Sequence, residues 1–307
     1  MKAPTIKELS DFTLKNYTNL LRYLSQIYKI VPFCEIPQNN FPYLILRHDV
    51  DVSLSAALKM AQMEQELGIR ATYFIMFSTR FYNVLEGNNV SILKQISKFG
   101  HEIGLHYDPS QYRSYGQNLN ETLRIQIYLL QHLIGRKVYS IVRHGPGAMD
   151  PFAAINGYIN ANHPRFRSDL FVHDSCRAWT PLEDLFKLLN RPPRKAQLLT
   201  HPENWQDDKI SRETLLERFI KNFEEETFTL KKKMKRVWLT DPLVFRYDNL
   251  IKMENPTYLF DSTRARADPL FRSENYYRRL LNWYFVNTRI GWRFHKALVK
   301  IRSALRL

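Results

Sequence analysis

Two cysteines in 307 residues, Cys34 and Cys176, are too few for a disulfide framework and lack CxxC spacing. Both read as ordinary buried thiols. No stretch reaches the roughly 18 uncharged apolar residues that span a bilayer. The opening M-K-A-P-T-I-K-E-L-S holds no apolar core of signal-peptide length. These absences lead to the expectation of a cytoplasmic protein. Acid is also missing from the end of the chain: after Glu274 there are eight Lys or Arg residues and no Asp or Glu. The formal charge of +15 implies an anionic partner. No nucleic-acid motif accompanies it, so no nucleic acid is expected.

The chain is organised around Tyr43 to Asp51, Y-L-I-L-R-H-D-V-D. Its apolar start suits a buried strand. Asp49 and Asp51 then stand one residue apart, and two carboxylates that close stay ionised only if something cationic lies near, a divalent ion or an arginine. Around this stretch, strands alternate with helices. Residues 6 to 30 read as an opening helix, and Ser53 caps a helix that ends at Gly68. A strand follows at 71–77, a helix at 90–99 stopped by Gly100, and a strand at 101–107. Asn120 caps a helix running to Gly135. Further strands are expected at 138–143, 170–175 and 197–201. The alternation argues an α/β fold with parallel strands, open or closed. Asp49 with Asp51, His106 with Asp108, Arg143 with His144, Asp174, and His201 each fall at or just past a strand's C-terminal end. In a parallel α/β barrel those ends converge on one face, where sites are built.

These residues resemble the motifs of the polysaccharide deacetylase superfamily, the NodB-like carbohydrate esterases. H-D-V-D at 48–51 is similar to its first motif, A-T-Y-F-I-M at 71–76 to its second strand, and G-H-E-I-G-L-H at 100–106 to its second motif. S-I-V-R-H-G-P at 140–146, D-S-C-R-A-W at 174–179 and L-L-T-H-P at 198–202 are similar to the third, fourth and fifth. The resemblance covers about 43 to 205. It implies a distorted (β/α) barrel with a helical C-terminal extension, arranged as 1–42 helix and linker, 43–207 barrel, and 208–307 basic and mainly helical. It implies Asp49 as catalytic base, Arg143 holding that base, Asp51 and His106 as metal ligands, and His201 as general acid. Asp174 would orient Arg143 or His201. Tyr107, Trp179 and His144 are expected to touch substrate. The implied substrate is an acylated amino sugar of a surface polysaccharide or its lipid-linked precursor.

Three departures stand out. Val50 separates the paired aspartates, and the third motif reads Arg-His-Gly-Pro. Most importantly, His106 is followed by Tyr107, Asp108, Pro109 and Ser110, so the second metal-binding histidine of the family motif is absent. Asp108 is the nearest replacement, because residues two apart on a continuing strand share a side. The expected site is therefore one divalent ion held by Asp51, His106 and Asp108, with His144 as the alternative third ligand. Zinc is the first choice, with manganese, cobalt or magnesium as alternatives. His101, at the start of a strand, is expected to be structural. A carbohydrate-binding scaffold that lost the metal, or a metal-free C–N hydrolase acting on a small amide, are the competing readings.

From about Lys209 the alternation stops and one long helix follows. Further on, Trp283, Ile290, Phe294, Leu298, Ile301 and Leu305 fall on one helical stripe, with Arg289, Arg293, Lys296 and Lys300 on another face. A helix over 276–307 either packs on the barrel or lies on an anionic membrane surface, which would place the protein at the inner membrane face.

Overall fold

The computed structural model describes residues 2–38, 41–77, 79–109, 118–145, 155–166 and 169–240. The 276–307 helix and its basic face lie outside the described residues. The chain divides into two compact units, Met1–Phe223 and Glu224–Leu307. The division falls within the long last helix rather than at residue 208, because Leu215 in that helix's first turns is buried. Among the described residues no helix is long and apolar enough to cross a membrane.

The first unit runs α1 (Ile6–Leu9), α2 (Leu14–Leu24), β1 (Lys29–Val31), β2 (Tyr43–Val50), α3 (Leu54–Glu66), β3 (Thr72–Met76), α4 (Gly87–Lys98), β4 (Glu102–Tyr107), α5 (Leu119–Ile134) and β5 (Ser140–Arg143). Then follow β6 (Ile159–Asn160), β7 (Phe171–His173), α6 (Leu182–Asn190), β8 (Lys195–Thr200) and the start of α7 (Arg212–Thr240). The strand order is β6-β5-β4-β3-β2-β8-β7, with β1 also pairing β2. Every ladder is parallel. Order around the sheet follows order in the chain, with β8 returning beside β2. This is a (β/α) barrel, distorted because no ladder among the described residues joins β6 to β7.

Strand alternation builds two cores. Leu44, Leu46, Val50, Tyr73, Ile103, Leu105 and Tyr107 face outward into the large cluster beneath the helices. Tyr43, Ile45, Phe74 and Val142 face inward with Phe33 and Ala161. Strands buried on both faces explain the unbroken apolar runs of the sequence. Gly104 is needed where β4 passes β3: a Cβ there would lie 2.5 Å from ring atoms of Phe74.

The caps follow local chemistry. Ser53 Oγ accepts from the Ala56 amide, as expected. On α5 the cap is Asn118 rather than Asn120, since Asn118 Oδ1 accepts from the Asn120 amide. Gly135 ends α5 at φ 70°. The opening helix is two helices, broken at Phe12 with φ 48°. Phe12 O accepts from the Gln206 amide and the Leu14 amide donates to Gln206 O, so the break is held by the segment after β8. The opening helices and β1 therefore belong to the same compact unit as the barrel strands. Cys34 is half-buried, whereas Cys176 is exposed.

Candidate active site

Asp51 stands one step past β2, His106 is the last inward-facing residue of β4, and His144 follows β5. Their ligand atoms lie within 4.8 Å of one another. His106 Nε2 is 3.2 Å from Asp51 Oδ1, and His144 Nε2 is 3.7 Å from Asp51 Oδ2. The His144 amide donates to Tyr107 O at 2.7 Å, which holds the end of β5 beside β4 and sets the two imidazoles edge to face, 5.1 Å between centroids. Burial raises the carboxyl of Asp51, but the facing His106 and His144 outweigh it and hold it well below the usual carboxylate range. The Asp51 hydrogen bond pushes His144 upward.

The tautomer of His106 is fixed by its surroundings. Nδ1 lies 3.2 Å from Val142 O, a carbonyl that only accepts, so Nδ1 carries a proton. Nε2 faces Asp51 Oδ1 at 3.2 Å, and both atoms are buried without a hydrogen-bond partner. A cation between the two atoms would give both a partner. Two imidazole nitrogens and a carboxylate oxygen form a donor set that zinc accepts.

Asp49 lies inside the barrel with its carboxylate gripped by Arg47: Nε donates to Oδ1 at 2.7 Å and Nη2 to Oδ2 at 2.6 Å. The Arg47 guanidinium also covers the Phe74 ring, 5.4 Å from its centroid. Burial alone would raise the Asp49 carboxyl; the charges of Arg47 and His106 reverse this and lower it. The guanidinium that holds the candidate base is therefore two residues before it on the same strand, not Arg143. Register explains the difference. Arg143 pairs with Tyr107, and alternation puts that rung on the helix-facing side of the sheet, whereas Arg47 and Asp49 share the inward side.

Asp174 follows β7 and is fully buried. Its Oδ1 accepts from the His201 amide at 2.9 Å and from His201 Nδ1 at 2.7 Å, and its Oδ2 accepts from Trp205 Nε1 at 2.9 Å. Of the two orienting roles expected for Asp174, the geometry supplies the one toward His201. His201 Nε2 then faces Asp51 Oδ2 at 3.8 Å. Burial lowers the imidazole, but the Asp174 hydrogen bond and charge more than compensate, bringing it up to about 10. Beside it, burial pushes the Glu203 carboxyl up to about 8.

Three expected contacts need correction. Asp108 lies beyond β4, whose ladder with β5 ends at Tyr107↔Arg143. The two-residue alternation lapses there, and Asp108 is not in the ligand cluster; His144 takes that place. Tyr107 is fully buried on the helix-facing side. Trp179 is a core residue: its Nε1 donates to Leu9 O at 3.3 Å and its ring packs on Phe12 and Trp205. Neither presents a face to a ligand. Arg47, Trp205 and Glu203 were not singled out from the sequence. Arg47 was hidden inside an apolar run, although its spacing of two from Asp49 on a strand was a usable signal.

No family model matches the sequence, and no curated protein matches it. Among solved structures, the chain is similar to a CE4 family pseudoenzyme from Bacillus anthracis, 16% identical, with TM-score 0.34 over 62% of this chain and 62% of that one. It thus spans less than two thirds of that pseudoenzyme's length. It is also similar to a polysaccharide deacetylase from Bacillus cereus, 15% identical, with TM-score 0.34 over 61% of this chain and 89% of that one. A family 4 acetyl xylan esterase from Clostridium thermocellum, in complex with a cobalt ion, is 15% identical, with TM-score 0.31 over 60% and 84%.

Proposed function

We propose that the chain is a metal-dependent hydrolase that removes an acyl group, N-acetyl foremost, from an amino sugar of a surface polysaccharide or its lipid-linked precursor. The observation that carries this reading is the convergence of Asp51, His106 and His144 ligand atoms within 4.8 Å, with His106 Nε2 and Asp51 Oδ1 buried 3.2 Å apart and without hydrogen-bond partners, an arrangement that a bound cation would satisfy. Asp51, His106 and His144 would hold a divalent ion, zinc first. When bound, such an ion supplies Lewis acidity toward water and carbonyl.

The chain's own residues supply the proton transfers. Asp49, kept ionised by Arg47, accepts a proton from the attacking water. The guanidinium fixes the direction of its lone pairs and lowers its basicity, so this base acts by position more than by strength. Breaking the C–N bond requires a proton on the leaving nitrogen. His201 carries one on Nε2, because Asp174 holds Nδ1–H and favours the imidazolium. Asp174 itself stays anionic and orients the ring, and Trp205 fixes its second oxygen. The segment after Glu274, which has no acid, would rest on an anionic inner membrane face, close to a lipid-linked substrate.

The test is the divalent metal content of protein purified without chelator, followed by hydrolysis of N-acetylated amino sugars. About one ion per chain is expected. His106→Ala and His144→Ala each lose it while keeping the fold, and Asp108→Ala keeps it. Wild-type protein that takes up no zinc, manganese or cobalt would sink the metal reading. The carbohydrate-binding scaffold or the metal-free C–N hydrolase would then replace it.

A further inference from the structure

Behind the site, on the helix side of the sheet, lies a second buried polar cluster that the proposed chemistry does not use. Its centre is Glu64 on α3, fully buried. Tyr17 Oη of α2 donates to its Oε1 at 2.5 Å, and Tyr73 Oη of β3 donates to its Oε2 at 2.8 Å. His48 Nε2 of β2 lies 2.8 Å from Oε1. The other His48 nitrogen, Nδ1, lies 2.8 Å from Thr200 Oγ1 of β8. His101 stands beside the cluster without joining it. Its Nδ1 accepts from the Ala71 amide, so its Nε2 carries the proton and donates to Ala61 O. The 3.6 Å approach of Nδ1 to Glu64 is therefore not a hydrogen bond, and His101 is structural, as expected from the sequence.

Tyr73, His48 and Thr200 form one continuous rung across β3, β2 and β8. That rung is the last of the β2–β8 ladder. The next residues, Asp49 and His201, leave it on the opposite face with no ladder bond between them. The candidate base and the candidate acid thus depart from a rung whose side chains Glu64, His48 and Thr200 are in contact on the opposite face. His48 Nε2 meets Glu64 Oε1 as a close charge contact that lacks ordinary hydrogen-bond geometry, and buried polar contacts of this kind couple the groups that make them.

We propose that Glu64 is a positioning residue for Asp49 and His201, acting across β2 through His48 and Thr200. Its role in turnover rests on the hydrolase reading above; its role in geometry does not. Glu64→Gln puts an amide donor among groups that already donate. Thr200→Val removes the far end of the line at nearly constant shape, and Thr200→Ser keeps the hydroxyl. Tyr73→Phe strips one donor from Glu64 but leaves the line to Thr200 intact.

Two readouts decide the matter: the proton resonance of His201 Nδ1–H, and kcat and KM on an N-acetylated amino sugar. Glu64→Gln and Thr200→Val should shift or broaden the resonance and cut kcat by about ten- to a hundredfold, as misplacement near 1 Å does. KM should stay within about twofold. Thr200→Ser should restore both readouts. Tyr73→Phe should lower Tm and leave both unchanged. An unmoved resonance in Thr200→Val, or an equal effect from Tyr73→Phe, would overturn the proposal and leave a merely structural cluster. If the wild type hydrolyses no acylated amino sugar, the functional reading falls, and the resonance alone decides the positioning role.

Discussion

Replacing Arg47 by Met tests the central electrostatic claim. Arg47 and Asp49 are both buried and joined by two hydrogen bonds. Met keeps much of the apolar stem and removes the guanidinium, with its charge, its two hydrogen bonds and its cover of Phe74. Removing one partner of a buried pair leaves an uncompensated charge and costs about 3–5 kcal/mol. For a unit of about 150–250 residues each kcal/mol is worth about 2–4 °C, so Tm should fall by about 6–20 °C.

The sign with pH follows from Asp49. In the wild type its folded carboxyl is lowered: burial raises it, and the Arg47 and His106 charges outweigh that. Its contribution is thus present above the unfolded value of about 3.9 and is lost as pH falls through the folded one. Without Arg47, burial dominates and the carboxyl rises. The Arg47→Met penalty should then be largest near pH 7 and shrink on acidification, as the buried group takes up a proton. Urea denaturation at pH 7 and pH 5 measures both. The double variant Arg47→Met/Asp49→Leu should recover most of the loss, because neither charge remains. A double variant as unstable as the two single losses added together would refute the pairing, as would a penalty that grows on acidification.

The remaining expectations concern His201 and the C-terminal segment. The folded imidazole of His201, raised to about 10 by Asp174 against burial, contributes stability that is fully present below about pH 6.5 and lost as pH rises through about 10. Asp174→Asn should bring the midpoint down sharply in an NMR titration of the metal-free protein; an unchanged midpoint would remove Asp174 as the cause. Full-length protein should sediment with vesicles rich in anionic lipid at low salt and release at high salt. Equal binding to neutral vesicles, or binding indifferent to salt, would end the membrane proposal.

Much of this architecture was legible in the residues. The alternation of apolar runs with Ser- and Gly-bounded helices marks a parallel α/β sheet, because parallel strands buried on both faces need apolar side chains in both parities. The grouping of Asp49, Asp51, His106, His144, Asp174 and His201 at or just past strand ends marks one face, because parallel strands all finish on the same side. What one dimension could not carry was parity at the strand ends. Arg143 and Arg47 are equally plausible partners for Asp49 until the ladders fix which side of the sheet each occupies; β5 pairs so that Arg143 goes with Tyr107, while Arg47 shares the inward side with Asp49. Asp108 is nearer to His106 in sequence, but the ladder ends before it, and the His144 amide bound to Tyr107 O brings a residue 38 positions away from His106 into the ligand cluster. Trp179 looks like a ligand-facing aromatic until the opening helices, which sequence spacing made into one rod, break at Phe12 and cover it. The chain by itself thus determined which residue types meet at the barrel mouth, because local periodicity and spacing encode strands and their ends. Only the tertiary structure decided which arginine, which third ligand and which indole take part, because those choices depend on register and on contacts between segments far apart in the chain.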